Sequence, residues 1–256
     1  MSDELPLANK RIVVTRSEEQ ADPISSGLAH LGASVLLVPT IKILPVELSD
    51  ADERKIASYY SYDVVAFSSP NGIKHCLSRI PAGDGREVKP YIIAVGTRTA
   101  GALREFGVTP DFIPQKFSSA ELVRSLAGYS WKSKKLLLPS GNLGGDELRD
   151  FAASRGALVD RVIVYMTVPN DLITEEVRSQ VISGMFDVAV FYSPSQVKYF
   201  IDLFGVPSLN GKDVAVIGPT TMKALESFGI AANIVPSNAT TEDLITSLVE
   251  YEKIGE

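Results

Sequence analysis

Short apolar runs alternate with longer amphipathic stretches along most of the chain. Arg11-Ile12-Val13-Val14-Thr15 leads into a polar turn, Arg16-Ser17-Glu18-Glu19, then into a stretch ending at Leu31-Gly32. A second apolar run, Ser34 to Val38, comes next. The same order recurs as Lys135-Leu136-Leu137-Leu138-Pro139, the turn Ser140-Gly141-Asn142, a helix-like stretch to Arg155-Gly156, and Leu158 to Tyr165. Glycine suits the left-handed residue that closes a helix, so Gly32 and Gly156 mark helix ends. Third runs start at Asp63 and Asp187, and fourth runs cover Tyr91–Val95 and Val214–Ile217. Short fifth strands are expected at Asp111–Pro114 and Asn233–Pro236, each before a capped helix. Ser118 with Glu121 fits a capping box, and Thr240 with Asp243 is a weaker version. Continuous apolar strands alternating with helices predict parallel sheets covered on both faces.

One domain-sized unit is used twice. Asp63-Val64-Val65-Ala66-Phe67-Ser68-Ser69-Pro70 returns as Asp187-Val188-Ala189-Val190-Phe191-Tyr192-Ser193-Pro194. Ala94–Thr99 returns as Val216–Thr221, Ala102–Val108 as Ala224–Ile230, and Ser118–Leu122 as Thr240–Leu244. Four blocks in one order, at nearly constant spacing, are far too widely separated for solenoid units of roughly 20–50 residues. The expected architecture is α/β: two flavodoxin-like, doubly wound parallel-sheet lobes with a cleft between them. Taken alone, the repeat places a contiguous boundary near Trp131.

Composition narrows the classes. A length of 256 residues suits two domains. A net charge of −6 with scattered Lys and Arg leaves no electrostatic footprint for nucleic acid. Neither a signal peptide nor a membrane span is expected, and cytoplasmic residence is. Ser2 to Asn9 reads as a loose leader. The one cysteine, Cys76, excludes an internal disulfide and reads as a buried apolar side chain rather than a nucleophile. His30 and His75 have no second metal-type ligand at useful spacing, so no metal is expected.

Candidate chemistry gathers in the turns after the third and fourth strands. Ser69-Pro70-Asn71-Gly72 and Ser193-Pro194-Ser195-Gln196 each put proline at the first helical position, behind hydroxyls. Free N–H groups of such a first turn, with the serine hydroxyl, make a small anion cradle. Gly96-Thr97-Arg98-Thr99 and Gly218-Pro219-Thr220-Thr221 repeat the device one strand over, and the Ser118 and Thr240 caps are secondary candidates. Helix capping alone is the plain alternative at each turn. Gly141-Asn142-Leu143-Gly144-Gly145 is not a dinucleotide fingerprint, and no Walker loop or nucleophile elbow is present. A nucleotide cofactor is therefore not expected. Tyr165 ends the second strand of the second copy, and its counterpart in the first copy falls near Thr40. Packing competes with acid chemistry for that tyrosine. Arg16 and Arg98 sit in turns where each either meets a carboxylate or remains a solvated charge.

Taken together, Val65–Gly72, Ala94–Thr99, Val164–Thr167, Phe191–Ser195 and Ile217–Thr221, with Thr240–Leu244, resemble uroporphyrinogen-III synthases from about Lys10 to Leu248. The resemblance implies a cofactor-free cytoplasmic lyase of tetrapyrrole synthesis. Such an enzyme takes hydroxymethylbilane, inverts its last ring and releases uroporphyrinogen III and water. It implies Tyr165 as the catalytic residue. It implies Ser69, Pro70, Asn71, Gly96, Thr97, Arg98, Thr99, Ser193, Pro194, Ser195, Gly218, Pro219, Thr220 and Thr221 around the substrate, with Arg16, Ser118 and Thr240 as secondary candidates. One lobe would be 1–38 with 168–256 and the other 43–164, joined by extended crossings near 39–43 and 165–169. A monomer is expected, with transient contact to the preceding enzyme of the pathway. The rival class is a cytoplasmic two-lobed binding protein or sensor for an anionic small molecule.

Overall fold

The computed structural model describes residues 5–80, 89–114 and 119–255. The first half of the chain runs β1 (Arg11–Val14), α1 (Glu18–His30), β2 (Ser34–Leu37), β3 (Ile41–Pro45), α2 (Asp50–Ala57), β4 (Val64–Phe67), α3 (Pro70–Leu77), β5 (Tyr91–Ala94), α4 (Thr97–Glu105) and α5 (Ser119–Ser125). The second half runs β6 (Lys135–Gly141), α6 (Glu147–Ser154), β7 (Leu158–Pro169), α7 (Glu175–Ile182), β8 (Val188–Phe191), α8 (Pro194–Phe204), β9 (Asp213–Val216), α9 (Pro219–Glu226) and α10 (Thr241–Gly255). No helix among the described residues is long and apolar enough to cross a membrane.

The chain divides into two compact units, Met1–Lys42 with Val168–Glu256, and Ile43–Thr167. In the first, the sheet order is β2-β1-β8-β9, with parallel pairing throughout. In the second, the order is β3-β7-β6-β4-β5, and β7, β6, β4 and β5 are parallel. The β3 strand opposes β7: the Val46 N–H donates to the Val164 carbonyl and the Asn170 N–H to the Thr40 carbonyl, so one index rises as the other falls.

These orders correct the contiguous boundary near Trp131. The first two strands of one copy pair with the third and fourth strands of the other, in both units. Trp131 lies in a core, 2 % exposed, with its indole N–H on the Leu126 carbonyl and its ring against Tyr129 and Phe151. Repeated acids tie the exchanged strands at their starts. Asp187 accepts the Arg11 N–H at 2.7 Å, and Asp63 accepts the Lys135 N–H at 2.9 Å.

The expected fifth strands shrink to single bridges, Ile93 with Phe112 and Ala215 with Ile234. Phe112 donates to Ile92 and accepts from Ala94, and Ile234 donates to Val214 and accepts from Val216. The next ladder donors would be residues 114 and 236. Both are proline and have no N–H to give. The leader also differs from expectation over its described part. Leu7 is 1 % exposed and its N–H donates to the Leu31 carbonyl at 2.9 Å, because burying its side chain closes the end of α1.

Both cores follow the apolar runs. All four residues of β4 and of β8 are buried, and Phe67 and Phe191 occupy equivalent positions with no exposed surface. Each such ring contributes roughly 1.5–3 kcal/mol by leaving water. Cys76 packs among Ile73, Phe67 and Ile56, and burial pushes its thiol up to about 12, so it is not a poised nucleophile.

Candidate active site

Ser69 is the N-cap of α3. Its backbone is extended, its Oγ accepts the Gly72 N–H at 3.0 Å, and Pro70 takes the first helical position, where no N–H is needed. The same Oγ lies 3.0 Å from the Tyr165 hydroxyl, 96 residues away in sequence. Tyr165 comes from β7 and its ring stacks on His75 of α3, with centroids 6.0 Å apart and planes 25° off parallel. Burial lowers the His75 pKa first, and Lys74 and Arg79 add to it, so the neutral imidazole is the form favoured beside the phenol. Tyr165, Ser69, Pro70 and Asn71 are all partly accessible.

The β6 end also lies beside Tyr165. Gly141 pairs with Tyr165 after a break in register at Ser140. Asn142 follows and makes two side-chain bonds to one backbone residue: Nδ2 donates to the Thr167 carbonyl at 3.1 Å, and Oδ1 accepts the Thr167 N–H at 2.8 Å. Arg161 anchors the loop beyond through Asp146, the Ser140 hydroxyl and the Gly144 carbonyl.

The other unit repeats the frame with different contents. Ser193 caps α8 through the Gln196 N–H at 3.4 Å and also meets the Ser195 hydroxyl at 3.0 Å. Gln196 is buried. Its Oε1 accepts the Tyr192 N–H at 2.7 Å and the Thr15 hydroxyl at 3.0 Å, and its own carbonyl accepts from Thr40 at 3.4 Å. Thr40, the counterpart of Tyr165, is thus a buried bond to the helix start. Arg16 is not a solvated charge: it is 8 % exposed, its guanidinium lies 4.2 Å from the Tyr192 ring centroid, and it reaches Gln20. Burial raises the Tyr192 pKa, partly opposed by Thr241 and Arg16.

The fourth-strand turns sit one strand over in each sheet, because β5 neighbours β4 and β9 neighbours β8. Gly96 precedes α4 at φ 115°, a backbone geometry that favours glycine. Thr97 and Arg98 are exposed, as are Pro219 and Thr220, while Gly96 and Gly218 are buried. Thr99 and Thr221 are less accessible than their exposed neighbours in the same turns. They are 3 % and 2 % exposed, on the buried faces of their helices, and the Thr221 N–H is engaged by the Gly218 carbonyl. Thr240 caps α10 by accepting the Asp243 N–H at 3.1 Å. Ser118 lies outside the described residues.

Sequence reasoning passed over Gln196, Gly141, Asn142 and His75. Ser193-Pro194-Ser195-Gln196 carried the Ser-x-x-Gln spacing of a capping box, which signals a side chain turned back on the helix start. A Gly-Asn pair directly after an apolar strand signals close backbone approach. Nothing local signals His75. Among the described residues, no three His, Cys, Asp or Glu side chains form a metal-binding group.

A family model described as uroporphyrinogen-III synthase HemD matches residues 22–246. The uroporphyrinogen-III synthase of Chlorobaculum parvum is 30% identical over 234 residues, covering 89% of this chain and 93% of the relative. That of Synechococcus elongatus is 25% identical, covering 98% of both chains. Among solved structures, a mutant uroporphyrinogen III synthase from Thermus thermophilus gives a TM-score of 0.70 at 18% identity, covering 95% of this chain and 98% of its own. The Helicobacter pylori uroporphyrinogen-III synthetase gives 0.59 at 16% identity, covering 94% and 99%. The two structures establish a shared α/β fold. With the sequence match spanning both repeats and every turn described above, the chain belongs to the uroporphyrinogen-III synthase family.

Proposed function

We propose that this protein is a carbon–oxygen lyase that closes hydroxymethylbilane to uroporphyrinogen III with inversion of the last ring. The observation that carries the proposal is the Tyr165 hydroxyl held 3.0 Å from Ser69 at the start of α3. The Gly72 N–H occupies one lone pair of Ser69, which leaves its O–H able to donate to the Tyr165 oxygen. The Tyr165 proton then points away from Ser69, available to the substrate hydroxyl. The C–O bond breaks with its electron pair on oxygen, the oxygen takes that proton, and water leaves. The positive N-terminus of α3 supports the phenolic oxygen as its proton departs.

The cation left at the methylene carbon is attacked by the substituted carbon of the last ring, giving a spiro intermediate that fragments and recloses inverted. A proton lost on reclosure balances the one supplied. No electrons are gained or lost, so no redox cofactor enters the scheme. Unassisted closure joins the ends without inversion, so the main contribution is holding the substrate in the productive fold. Acid assistance adds typically ~10²–10⁴-fold.

The eight carboxylates of hydroxymethylbilane are assigned to helix starts and hydroxyls: Asn71, Thr97 and Arg98 in one unit, and Ser193, Ser195 and Thr220 in the other. Neutral helix-start donors, joined by the cationic Arg98, let a net-acidic chain hold a polyanion. Each unit is read as a small flavodoxin-type sheet. The orders β2-β1-β8-β9 and β7-β6-β4-β5 both become 2-1-3-4 when strands are numbered within the repeat, which supports that reading. Family membership favours the enzyme over a non-catalytic anion sensor. Incubation with freshly made hydroxymethylbilane, followed by separation of the isomers, is expected to give uroporphyrinogen III. Isomer I alone, at the spontaneous rate, would refute the assignment.

A further inference from the structure

We propose that Gly141 is a positioning residue for Tyr165: the missing side chain at Gly141 is the seat of the phenol ring. This rests on the catalytic reading of Tyr165 for its effect on turnover, but not for its effect on structure. A Cβ built on Gly141 would lie 2.5 Å from Tyr165 Cζ, 2.6 Å from Cε2 and 2.8 Å from the hydroxyl oxygen. No real Cβ sits that close to a ring. The Gly141 backbone does not itself demand glycine, since its φ lies outside the left-handed region. The demand comes from the ring alone.

Three further features turn the gap into a seat. The register break at Ser140 advances β7 by one residue, so that Tyr165 and not Val164 faces Gly141. Asn142 then holds the strand from Tyr165 to Thr167, its N–H on the Tyr165 carbonyl at 3.3 Å and its side chain on both backbone groups of Thr167. At the far end of the ring, the hydroxyl oxygen meets Ser69 at 3.0 Å. The ring thus has one face on His75, its edge against bare backbone, and its tip on a helix cap. A methyl at residue 141 pushes the edge outward and carries the hydroxyl off Ser69, since the backbone behind it is tied down by Asn142.

Two measurements on four variants test the seat. The first is thermal stability. Gly141→Ala is expected to lower the melting temperature in the wild-type background. In a Tyr165→Ala background it is expected to leave the melting temperature unchanged or raise it, because the clash is gone and alanine restricts the unfolded chain. An equal loss in both backgrounds overturns the seat. The second is turnover. Gly141→Ala is expected to lower kcat for isomer III at least tenfold with KM changed less than threefold. The same change in a Tyr165→Phe background is expected to cost less than twofold more. A full further loss there means that Gly141 acts on something other than the hydroxyl, and overturns the proposal. If Tyr165→Phe itself has wild-type turnover, the catalytic reading fails, while the stability comparison still decides the seat.

Discussion

Tyr165→Phe removes one oxygen and leaves the rest of the site in place. The ring keeps its stack on His75 and its place beside Gly141, neither of which uses the hydroxyl. Ser69 keeps its bond to the Gly72 N–H. The stability cost is therefore that of one partly buried hydrogen bond, about 0.5–1.5 kcal/mol. The effect on chemistry is expected to be larger: at least tenfold in the rate of isomer III formation, about 1.4 kcal/mol of barrier. It stops well short of abolition, because substrate folding by the turns survives. The assay is a quenched time course on hydroxymethylbilane with chromatographic separation of isomers. Spontaneous closure makes isomer I in the same tube, so the ratio of III to I reports the enzymic rate against an internal clock. Ser69→Ala removes both the cap and the partner of Tyr165, costing about 0.5–2 kcal/mol of stability. If Ser69 acts through Tyr165, the double variant turns over no more slowly than the slower single variant. A folded Tyr165→Phe protein making isomer III at the wild-type rate would remove Tyr165 from the mechanism.

The remaining predictions concern scaffold and binding. Gln196→Leu leaves the part-buried Tyr192 N–H without its acceptor and is expected to cost about 1–3 kcal/mol, read as a lower urea midpoint at unchanged m-value. Thr97→Ala and Thr220→Ala are expected to raise KM for hydroxymethylbilane by the equivalent of about 0.5–2 kcal/mol each. Thr99→Val and Thr221→Val, with buried side chains, are expected to change KM less, and the reverse ranking would contradict the assignment of exposed donors. Bonds from the Lys135 N–H and then the Lys134 ammonium hold the Asp63 carboxyl below its ordinary 3.8. That stabilisation is whole above 3.8 and is lost as pH falls below it, so Asp63→Asn is expected to flatten the acid limb of a stability–pH profile.

The apolar runs predicted the strands and helices because each run is a local property, read against one periodicity at a time. The exchange of strands between copies is not local. Both copies present the same faces and the same acid at the third strand, so pairing within a copy and pairing across copies satisfy the same pattern. Part of the repeat is scaffold. Asp63 and Asp187 bind strand starts, and Asp111 and Asn233 accept the Ile92 and Val214 N–H groups in the same way. The buried state of Thr99 was legible in principle: Thr99, Ala100 and Leu103 lie on one face of α4, and Leu103 marks that face as the inner one. The meeting of Tyr165 with Ser69 was not, because it depends on β7 and β4 lying on either side of β6 in one sheet.

Similar scaffolds here hold different reaching side chains. In both units a residue just past or within the second strand of the repeat reaches the start of the helix that follows the third. At Thr40 the reach is short, the hydroxyl has no exposed surface, and its bond goes to the Gln196 carbonyl. A group buried in that way fixes a turn and cannot pass a proton outward. At Tyr165 the longer side chain carries its hydroxyl past the backbone to the cap itself, Ser69, and remains partly accessible. The substrate has the matching asymmetry. Hydroxymethylbilane carries carboxylates on every ring but a leaving hydroxyl at one end only. Donor turns are useful in duplicate, since there are many carboxylates to hold. An acid is useful once, since a second would meet no leaving group. With Tyr165 as the proposed acid, a repeated turn-rich unit that differs at one reaching residue supplies that combination. On this account Thr40→Tyr would add no second active acid: the larger ring has no bare glycine backbone opposite it, and the cost would fall on folding instead.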